Sequence, residues 1–581
     1  MILKLINFKY SLSAFLISIL FCCNTNKTVE RQREHSTTIT SKKSIAQTLQ
    51  EQEHSPIEDR IALYRSLKKE KPNDYNFENE DEMTMYGYKH LWNNKLNDAL
   101  EIFKLIVEEF PDSSNPYDSL GEAYLAVGDS VLSLKNYEIS LALNPDNFNA
   151  EDQIERIKHP HRKPIPLEEK FDKVYTKLDY TKDLESLGKK LLEVHPNALK
   201  FISEEDFWKT IEAKKSLLTD YTTFAEFAWH CSEIIANINC SHTSMGSFSL
   251  ETNMLPTSLR FPLQTRLIDD KLYVIDTYSN TGKVAIKDEI IAINTVPISK
   301  LVKDVYKHLQ SQGHVETSKR QDFNVWSTIL IPYALSFPEN YAVRIKGKPA
   351  PVQLNMSNEI EVPYRDNSIP FCGKDVCLEI NGKENTAIMT IHSFNYYPWN
   401  NLDEFQQFVD KSFNDINEKQ IKNLVIDVRF NGGGSPESSI YLLRYLAKQP
   451  FSYFSKTNHS KGYGIQQPFK DGFNGNLFFL IDGHGKSTTG HFMALAKELK
   501  LGTIIGEELG SNQFCTAGQT VLRLANTKLV YYVANSTSKL ADTSLPDEKG
   551  ILPDHKVTQH IDDYLNGVDT VKEYAFELIA N

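Results

Sequence analysis

The sequence predicts an α/β core in the C-terminal half of the chain, preceded by a helical region and by a smaller β-rich segment. From about residue 385 onward, short apolar strands alternate with amphipathic helices, a pattern that favours a largely parallel sheet. Residues 80–148 repeat with a period of 34 residues, which is typical of stacked helical hairpins. Residues 258–312 alternate between apolar and polar side chains, as half-buried strands do.

Length and composition indicate a globular protein of several domains. The chain has 581 residues, enough for about three to five domains. Apolar residues make up 40% and charged residues 24%, which excludes a fully disordered or collagen-like chain. The net charge of −12 argues against a dedicated nucleic-acid-binding protein, whose surface should be basic, so we expect no nucleic-acid partner.

The N-terminus has the layout of an export signal. Lys4 and Lys9 precede an apolar run at residues 12–21, which is too short for a comfortable transmembrane span. The run ends at Cys22 and Cys23, and this arrangement resembles a bacterial lipoprotein signal, whose cysteine becomes the lipidated first residue. We therefore expect export to the bacterial cell envelope, to the periplasm or the outer membrane, with a lipid anchor in the membrane. An ordinary cleaved signal or an uncleaved anchor is the alternative.

Composition and pattern divide the chain into segments. Residues 24–60 are polar and charged without an apolar period, which predicts a tether between the signal and the folded part. The other predicted segments are the signal at 1–23, repeat helices at 61–160, further helices at 165–250, a β-rich module at 255–350, the α/β core at 375–560 and a C-terminal helix at 561–581.

The cysteines that follow the signal are few. Five of the seven cysteines lie beyond it, and an odd count permits at most two internal disulfides. Cys372 and Cys377 are close enough in sequence to pair across a turn. Because no C-x-x-C motif is present, neither a zinc site nor a thioredoxin-like redox site is supported, and we expect no metal and no cofactor.

The residue types that recur in the 34-residue repeat are those that pairs of antiparallel helices need. Small residues permit close crossing of two helices, an aromatic ring fills the gap between them, and a proline ends the second helix. The pattern resembles tetratricopeptide repeats, and it is compatible both with a peptide or protein partner and with a structural spacer. The equivalent pairs are Gly87 and Gly121, Ala99 and Ser133, Phe103 and Tyr137, and Pro111 and Pro145.

The β-rich segment resembles a degenerate PDZ module. Residues 272–275 predict one strand, and residues 285–294 resemble the strand, turn and strand of such a module. Lys287 and Thr295 stand at positions where glycine is usual. The resemblance therefore implies the fold of the module more than its peptide-binding role.

Two features of the α/β core can support chemistry. Gly432, Gly433 and Gly434 directly follow an apolar strand, and glycines let backbone N–H groups face a ligand and stabilise an oxyanion. A tight turn is the alternative. Ser487 lies in a Gly-rich turn between a strand and a helix, where backbone donors and the helix dipole favour developing negative charge. For this serine, a helix cap is the alternative.

A phosphate-binding P-loop is excluded at the serine turn, because that motif needs a glycine five positions before Gly485 and this chain has Leu480 there.

Strands and helices are expected to alternate through the α/β core. The predicted strands are 386–391, 423–429, 477–481 and 503–507, and the predicted helices are 402–413 and 492–499.

Taken in order, the motifs resemble one family. They are Cys240-Ser241-His242-Thr243, the degenerate PDZ-like segment, residues 425–434, Ser487 and Ile505-Gly506-Glu507. This order is similar to that of the serine peptidases that comprise the carboxy-terminal processing (tail-specific) proteases and the tricorn core protease. The resemblance covers roughly residues 170–560 and implies a crotonase- or Clp-like α/β core with a helical N-terminal part and a PDZ.

The resemblance also implies roles for residues. In the processing branch the serine pairs with a lysine just beyond the Gly-Glu strand, but residues 506–513 contain no lysine. The tricorn-like branch implies Ser487 as the nucleophile and His242 as the general base. Ser241 and a late carboxylate, Glu548, would orient and polarise that base.

Further positions follow from the same resemblance. Asp547 is adjacent to Glu548 and competes with it for the carboxylate role. The backbone N–H groups of Gly433, Gly434 and Thr488 would hold the oxyanion.

The most specific hypothesis is therefore an exported serine endopeptidase. It would cleave peptides or unfolded protein tails through an acyl-enzyme, without a metal, and a protein partner could bind the repeats. One alternative is a catalytically inactive protein of the cell envelope that binds peptides or a partner on the same fold, because a fold does not determine function. Another is an unrelated hydrolase that acts on small esters.

Overall fold

The computed structural model describes nine stretches of the chain. They are residues 42–162, 167–245, 254–358, 360, 372–381, 385–398, 401–455, 463–541 and 543–581. The predicted signal with Cys22 and Cys23, and the first part of the predicted tether, lie outside these stretches. Across the described stretches, every helix is too short or too polar to cross a membrane.

The chain forms two compact units. The first unit comprises residues 1–164, 396–404 and 518–523, and the second comprises the remainder. The helices of the first unit are α1 Ile45–Gln50, α2 Ile57–Glu70, α3 Glu80–Trp92, α4 Leu96–Glu109, α5 Ser114–Ala126, α6 Ser130–Leu143 and α7 Phe148–Lys158.

The 34-residue period corresponds to a repeated packing contact. A Cβ atom added to Gly87 in α3 would lie 2.6 Å from the ring of Phe103 in α4. One period later, a Cβ atom on Gly121 in α5 would lie 3.2 Å from the ring of Tyr137 in α6. In both hairpins the glycine therefore lets an aromatic ring pack directly against the helix backbone.

The predicted tether at 24–60 is too long at its C-terminal end. Ser44 caps α1 by accepting a hydrogen bond from the backbone N–H of Gln47. Ile45, Ala46 and Leu49 are fully or almost fully buried in the core of the first unit. Three apolar residues within one helical turn are too few to show a period in the sequence, so this short helix was not predicted.

The second unit begins with helices where the sequence predicts them. Apolar side chains that recur at three- and four-residue spacing within residues 177–194 and 204–217 are buried, as that spacing predicts: Leu184, Leu187, Leu191, Phe207 and Ile211. These helices are α8 Leu167–Lys170, α9 Lys177–Val194, α10 Glu204–Leu217 and α11 Phe224–Ala236.

A β-rich module follows. Its antiparallel sheet has the order β1-β2-β3-β5-β6, and β4 pairs with β3. The strands are β1 Gln264–Ile268, β2 Lys271–Asp276, β3 Glu289–Ile293, β4 Val296–Pro297, β5 Ala342–Ile345 and β6 Val352–Gln353, and the helices are α12 Ile298–Tyr306 and α13 Glu316–Ala334. Phe323, Leu330 and Ile331 of α13 pack in one core with the sheet.

Lys287 and Thr295, which stand where a PDZ module usually has glycine, both adopt the backbone conformation that glycine favours. Lys287 has a φ of 75° and Thr295 has a φ of 71°. Left-handed backbone costs a non-glycine residue roughly 1–2 kcal/mol. The turns around β3 therefore keep a glycine-like shape although their glycines are replaced.

The α/β core is a six-stranded sheet of order β16-β13-β12-β9-β8-β7. Neighbours run parallel except at the edge, where β7 is antiparallel to β8, which confirms a largely parallel sheet. Its strands are β7 Val376–Asn381, β8 Thr386–Ile391, β9 Asn423–Asp427, β12 Asn476–Ile481, β13 Thr503–Gly506 and β16 His555–Lys556. The connecting helices are α14 Leu402–Glu418, α15 Pro436–Leu446 and α16 Thr488–Glu498.

Shorter strand pairs complete the second half of the chain. They are β10 Phe451–Ser452 with β11 Ile465–Gln466, and β14 Phe514–Arg523 with β15 Val530–Lys539. Cys372 and Cys377 form the disulfide that their spacing predicts.

The C-terminal helix predicted at 561–581 is divided into two. The helices are α17 Ile561–Leu565 and α18 Thr570–Ala580. Gly567 between them has a φ of 68°, and the side chain of Asp569 caps α18. Val571 and Ala575 pack with strand residues of the core sheet.

A buried ion network joins α18 to the end of β9. The Arg429 guanidinium donates to the Asp427 carboxylate at 2.6 and 2.9 Å and to the Asp569 carboxylate at 2.6 and 2.8 Å. Only 4% of Arg429 is exposed. Although burial opposes charge, the two carboxylates hold the pKa of Arg429 above its ordinary value.

Parallel strands β9 and β12 bring the two predicted functional turns to one edge of the sheet. Asp427 pairs in register with Leu480. The glycine turn after β9 and the serine turn after β12 therefore leave the sheet side by side, at the carboxyl ends of adjacent strands, where α/β proteins place their sites.

Candidate active site

Ser487 has a strained backbone and does not cap its helix. It immediately precedes α16 and has φ 54° and ψ −123°, while its side chain forms no capping hydrogen bond. Such a conformation costs a non-glycine residue about 1–3 kcal/mol. The alternative of a simple capping serine is therefore excluded, and the hydroxyl is left at the positive end of the helix dipole.

Gly433 packs directly against Ser487. A Cβ atom on Gly433 would lie 2.7 Å from Ser487 Cβ, 2.8 Å from the Lys486 carbonyl oxygen and 3.0 Å from the Thr488 nitrogen. The φ of Gly433 is 100°, and that of Gly434 is 140°. Only glycine permits both this close approach and these φ values, so the triple glycine is more than a tight turn.

Asn431 holds the glycine turn and the serine turn together. Its Oδ1 accepts from the backbone N–H of Gly433 at 2.8 Å, and its Nδ2 donates to the Ile391 carbonyl at 2.9 Å. Its own carbonyl accepts from the backbone N–H of Lys486 at 3.1 Å and from the Thr489 hydroxyl at 3.0 Å. The side chain is fully buried, so Asn431 links β8, the glycine turn and the start of α16.

This network corrects one of the three predicted oxyanion donors. The N–H of Gly433 is already used by Asn431, so it does not point at an empty site. In the described part of the chain, no acceptor is bonded to the backbone N–H of Gly434 or of Thr488. The Thr488 hydroxyl also donates to the Gly434 carbonyl, which keeps these two residues adjacent.

His242 contacts Ser241 and Cys515. Its Nδ1 is 3.2 Å from Ser241 Oγ and 3.7 Å from the Cys515 sulfur. Loss of solvation, together with the positive charge of Lys486, lowers the pKa of His242 to about 4. The imidazole is therefore neutral at pH 7, as a general base must be.

Cys515 is the shared neighbour of the histidine and the serine. Its thiol lies 4.0 Å from Ser487 Oγ as well as 3.7 Å from His242 Nδ1. Burial, followed by the nearby Cys240, raises the pKa of Cys515 to about 12. The thiol is therefore protonated at neutral pH and does not compete with Ser487 as a nucleophile.

Lys486, the residue directly before Ser487, forms an ion pair. Lys486 Nζ lies 3.4 Å from Asp322 Oδ1 of α13. The ion pair directs the Lys486 side chain toward the β-rich module, while its charge still acts on His242.

The predicted carboxylate does not join this group. Glu548 is exposed, and the contact that fixes it is its carbonyl, which accepts from the His314 N–H at 2.8 Å. Asp547 forms an ion pair with Lys200 at 2.7 Å and accepts from the Gln513 side chain. Among the described residues, neither carboxylate is hydrogen-bonded to Ser241, His242 or Ser487.

Two further histidines flank the serine without forming its base. His484 Nδ1 is 3.1 Å from Asp482, whose carboxylate also accepts from the backbone N–H of Phe430. His491 is buried, and loss of solvation lowers its pKa to about 3. Neither His491 ring nitrogen has a hydrogen-bond partner in the described part of the chain.

Ser487 and His242 thus both lie beside the Cys515 sulfur, at 4.0 and 3.7 Å, and Ser241 contacts His242. Gly433 packs against Ser487, whereas Glu548 is not part of this group. A strained serine, a neutral imidazole and two unengaged backbone donors can together perform acyl transfer. Sequence reasoning missed Asn431 and Cys515. An amide side chain directly before three glycines was the available signal for Asn431, whereas nothing local distinguishes Cys515 from other buried cysteines.

One family model matches the α/β core. Residues 385–557 match the model of Peptidase family S41. No curated protein sequence is significantly similar to the chain.

Three solved structures resemble the chain at low identity. Mature CPAF complexed with lactacystin is 12% identical, with 69% of this chain and 98% of that chain covered and a TM-score of 0.47. The photosystem II D1 C-terminal processing protease is 11% identical, with coverages of 68% and 98% and a TM-score of 0.32. The tricorn protease is 16% identical, with coverages of 70% and 37% and a TM-score of 0.32.

TM-scores below 0.5 carry no functional argument, so the assignment rests on the family match over the core sheet and its serine turn. The chain therefore contains a domain of Peptidase family S41 and is a serine-type peptidase.

Proposed function

We propose that this protein is an exported serine endopeptidase that cleaves peptides or unfolded protein tails through an acyl-enzyme formed on Ser487. The observation that carries the proposal is the uncapped, strained Ser487 packed against Gly433 at the start of α16. A helix cap or a packing serine has no reason to adopt this conformation, whereas strain of this kind is concentrated at catalytic sites.

The chemistry follows from the residues around Ser487. Its Oγ attacks the carbonyl carbon of the scissile peptide bond while His242 accepts the hydroxyl proton. The oxyanion that forms is stabilised by the N–H groups of Gly434 and Thr488, together with the dipole of α16. Collapse of this intermediate breaks the C–N bond, protonated His242 gives its proton to the leaving amine, and water then hydrolyses the ester.

Ser241 acts on the base and not on the substrate. Its hydroxyl lies 3.2 Å from His242 Nδ1, within hydrogen-bond distance, and so holds the imidazole in place. Because neither Glu548 nor Asp547 contacts the imidazole, Ser241 takes the orienting role that a carboxylate has in a Ser-His-Asp triad.

The proposed location rests on two observations. Residues 1–23 have the layout of a lipoprotein signal, and the Cys372–Cys377 disulfide suits an oxidising compartment outside the cytosol. Metabolic labelling with a radioactive fatty acid tests the anchor. Label that is lost in Cys22→Ala or in Cys23→Ala identifies the modified residue, and an unlabelled wild-type protein refutes the anchor.

The activity is tested with an unfolded protein and a panel of short esters. We expect wild type to fragment unfolded casein, Ser487→Ala to leave it intact, and Ser66→Ala, which changes an exposed serine of α2, to behave as wild type. Hydrolysis of esters without cleavage of casein would support a small-ester hydrolase. Binding of casein without any hydrolysis would support an inactive binding protein and refute the proposal.

A further inference from the structure

The helical unit contains a cavity of its own, formed on α3, α5, α6 and α7. Its volume is about 480 Å³, and none of the active-site residues lines it. The side chains that line it include Tyr88, Trp92, Asp118, Glu122, Tyr137 and Gln153.

Two half-buried carboxylates face this cavity without a cation. Asp118 accepts from the amides of Asn147 at 2.9 Å and Asn149 at 2.8 Å, and Glu122 accepts from the Tyr88 hydroxyl at 2.8 Å. Among the described residues, no lysine or arginine forms an ion pair with either carboxylate. Burial raises the pKa of Asp118 to about 6 and also raises that of Glu122. Burying a charged carboxylate costs free energy unless a positive charge pairs with it.

A third polar group in the cavity also lacks a partner. Tyr137 is 1% exposed, and its hydroxyl forms no hydrogen bond within the described stretches. Its ring is held against Gly121, so the side chain cannot turn away to find one. Burial and the charges of Asp118 and Glu122 raise the pKa of Tyr137 far above its ordinary value.

Aromatic rings form the apolar wall of the cavity. Tyr88 and Trp92 stack with their ring centroids 5.4 Å apart, and 45% of Trp92 is exposed. Aromatic faces attract cations and cover aliphatic chains. Among the described residues that line the cavity, Arg156 is the one cationic side chain, and it acts on Tyr137 without forming an ion pair with either carboxylate.

We propose that this cavity binds the ammonium group of a lysine side chain that belongs to an extended polypeptide. The three N–H donors of the ammonium are matched by the carboxylates of Asp118 and Glu122 and by the hydroxyl oxygen of Tyr137. The aliphatic stem lies along Tyr88 and Trp92. An arginine fits less well, because its planar fork favours two oxygens of one carboxylate over three separate acceptors.

The remaining space favours a polypeptide over a free amine. A cavity of about 480 Å³ is much larger than one alkylammonium group. Gln153, which lines it, has a buried Oε1 without a hydrogen-bond partner in the described part of the chain. This oxygen can accept a hydrogen bond from a backbone N–H of the bound segment. The proposal concerns the helical unit and does not depend on the peptidase activity.

Calorimetric titration of the full chain tests the assignment. The probe is the acetylated and amidated tripeptide Gly-Lys-Gly, and its counterpart carries norleucine, which keeps the stem and removes the charge. The titrations use the Ser487→Ala background so that no peptide is cut. We expect the lysine peptide to bind at least about tenfold more tightly than the norleucine peptide, as expected for a hydrogen-bonded charge.

Three variants separate binding from folding. Glu122→Gln should weaken the lysine peptide at least about tenfold, while Glu138→Gln, an exposed change on α6, should have no effect. Tyr137→Phe removes a hydroxyl that has no partner, so it should leave the thermal midpoint unchanged and still weaken binding. Equal binding of the two peptides, or wild-type affinity in both Glu122→Gln and Tyr137→Phe, overturns the proposal. Binding of n-butylamine as tight as that of the peptide overturns the assignment to a polypeptide.

Discussion

Gly433→Ala should inactivate the enzyme, whereas the same change one residue earlier should not. An added Cβ atom on Gly433 would lie 2.7 Å from Ser487 Cβ, but carbon atoms pack at about 3.5–4.0 Å. The serine must therefore move by about 1 Å, and a misplacement of about this size can cost about 10²-fold in rate. The φ of 100° at Gly433 adds about 1–3 kcal/mol of backbone strain.

Gly432→Ala is the matched control. A Cβ atom on Gly432 would meet no atom within 4 Å, and this glycine has no left-handed φ. The assay is kcat/KM for cleavage of an unfolded protein, with circular dichroism to confirm that both variants fold. Wild-type activity in Gly433→Ala, or an equal loss in Gly432→Ala, would refute the geometric reasoning.

Three further predictions concern charge and backbone. Because the pKa of His242 is lowered to about 4, kcat/KM should fall only as the pH drops through about 4. Lys486→Gln removes a positive charge that lowers this pKa, so the fall in kcat/KM should move to higher pH. A fall in kcat/KM near pH 6.5, the ordinary pKa of histidine, would contradict this prediction. Arg429→Met leaves two buried carboxylates unpaired and should cost about 3–5 kcal/mol of unfolding free energy in denaturant titrations, whereas Arg65→Ala, in an exposed pair, should cost at most about 1 kcal/mol. Thr295→Gly should stabilise the β-rich module by roughly 0.5–1 kcal/mol, seen as slower hydrogen exchange in β3, because it relieves a left-handed φ. Thr295→Ala retains the Cβ atom and should not stabilise the module.

The core sheet could be predicted because its strands are buried on both faces. The strand predicted at 386–391 is found at Thr386–Ile391, and that predicted at 477–481 extends by one residue, to Asn476. Continuous apolar runs between polar turns leave little choice of boundary. The helix predicted at 492–499 instead begins at Thr488, because its first turn is polar and resembles a loop.

The site could be predicted only as far as local motifs extend. Ser487 and the triple glycine each follow a strand, and adjacent parallel strands bring them together. The Gly433 N–H was misassigned because its acceptor, Asn431 Oδ1, depends on a side-chain rotamer that no motif specifies. Likewise, the position of Glu548 late in the chain does not determine where its carboxylate points.

Long-range contacts explain the remaining difference. Cys515 reaches His242 across 273 positions of sequence, and Asp322 reaches Lys486 across 164. Such pairs depend on how segments distant in the sequence pack against one another, and packing is not a property of any local pattern.

The central claim is that Ser487 is the nucleophile and His242 its base. The most direct test is labelling of the folded protein with a fluorophosphonate, followed by mass spectrometry of the labelled peptide. The account predicts an adduct on Ser487, no adduct in Ser487→Ala, and labelling in His242→Ala that is slower by about 10²–10⁴-fold. An adduct on another residue, or unchanged labelling in His242→Ala, would contradict it.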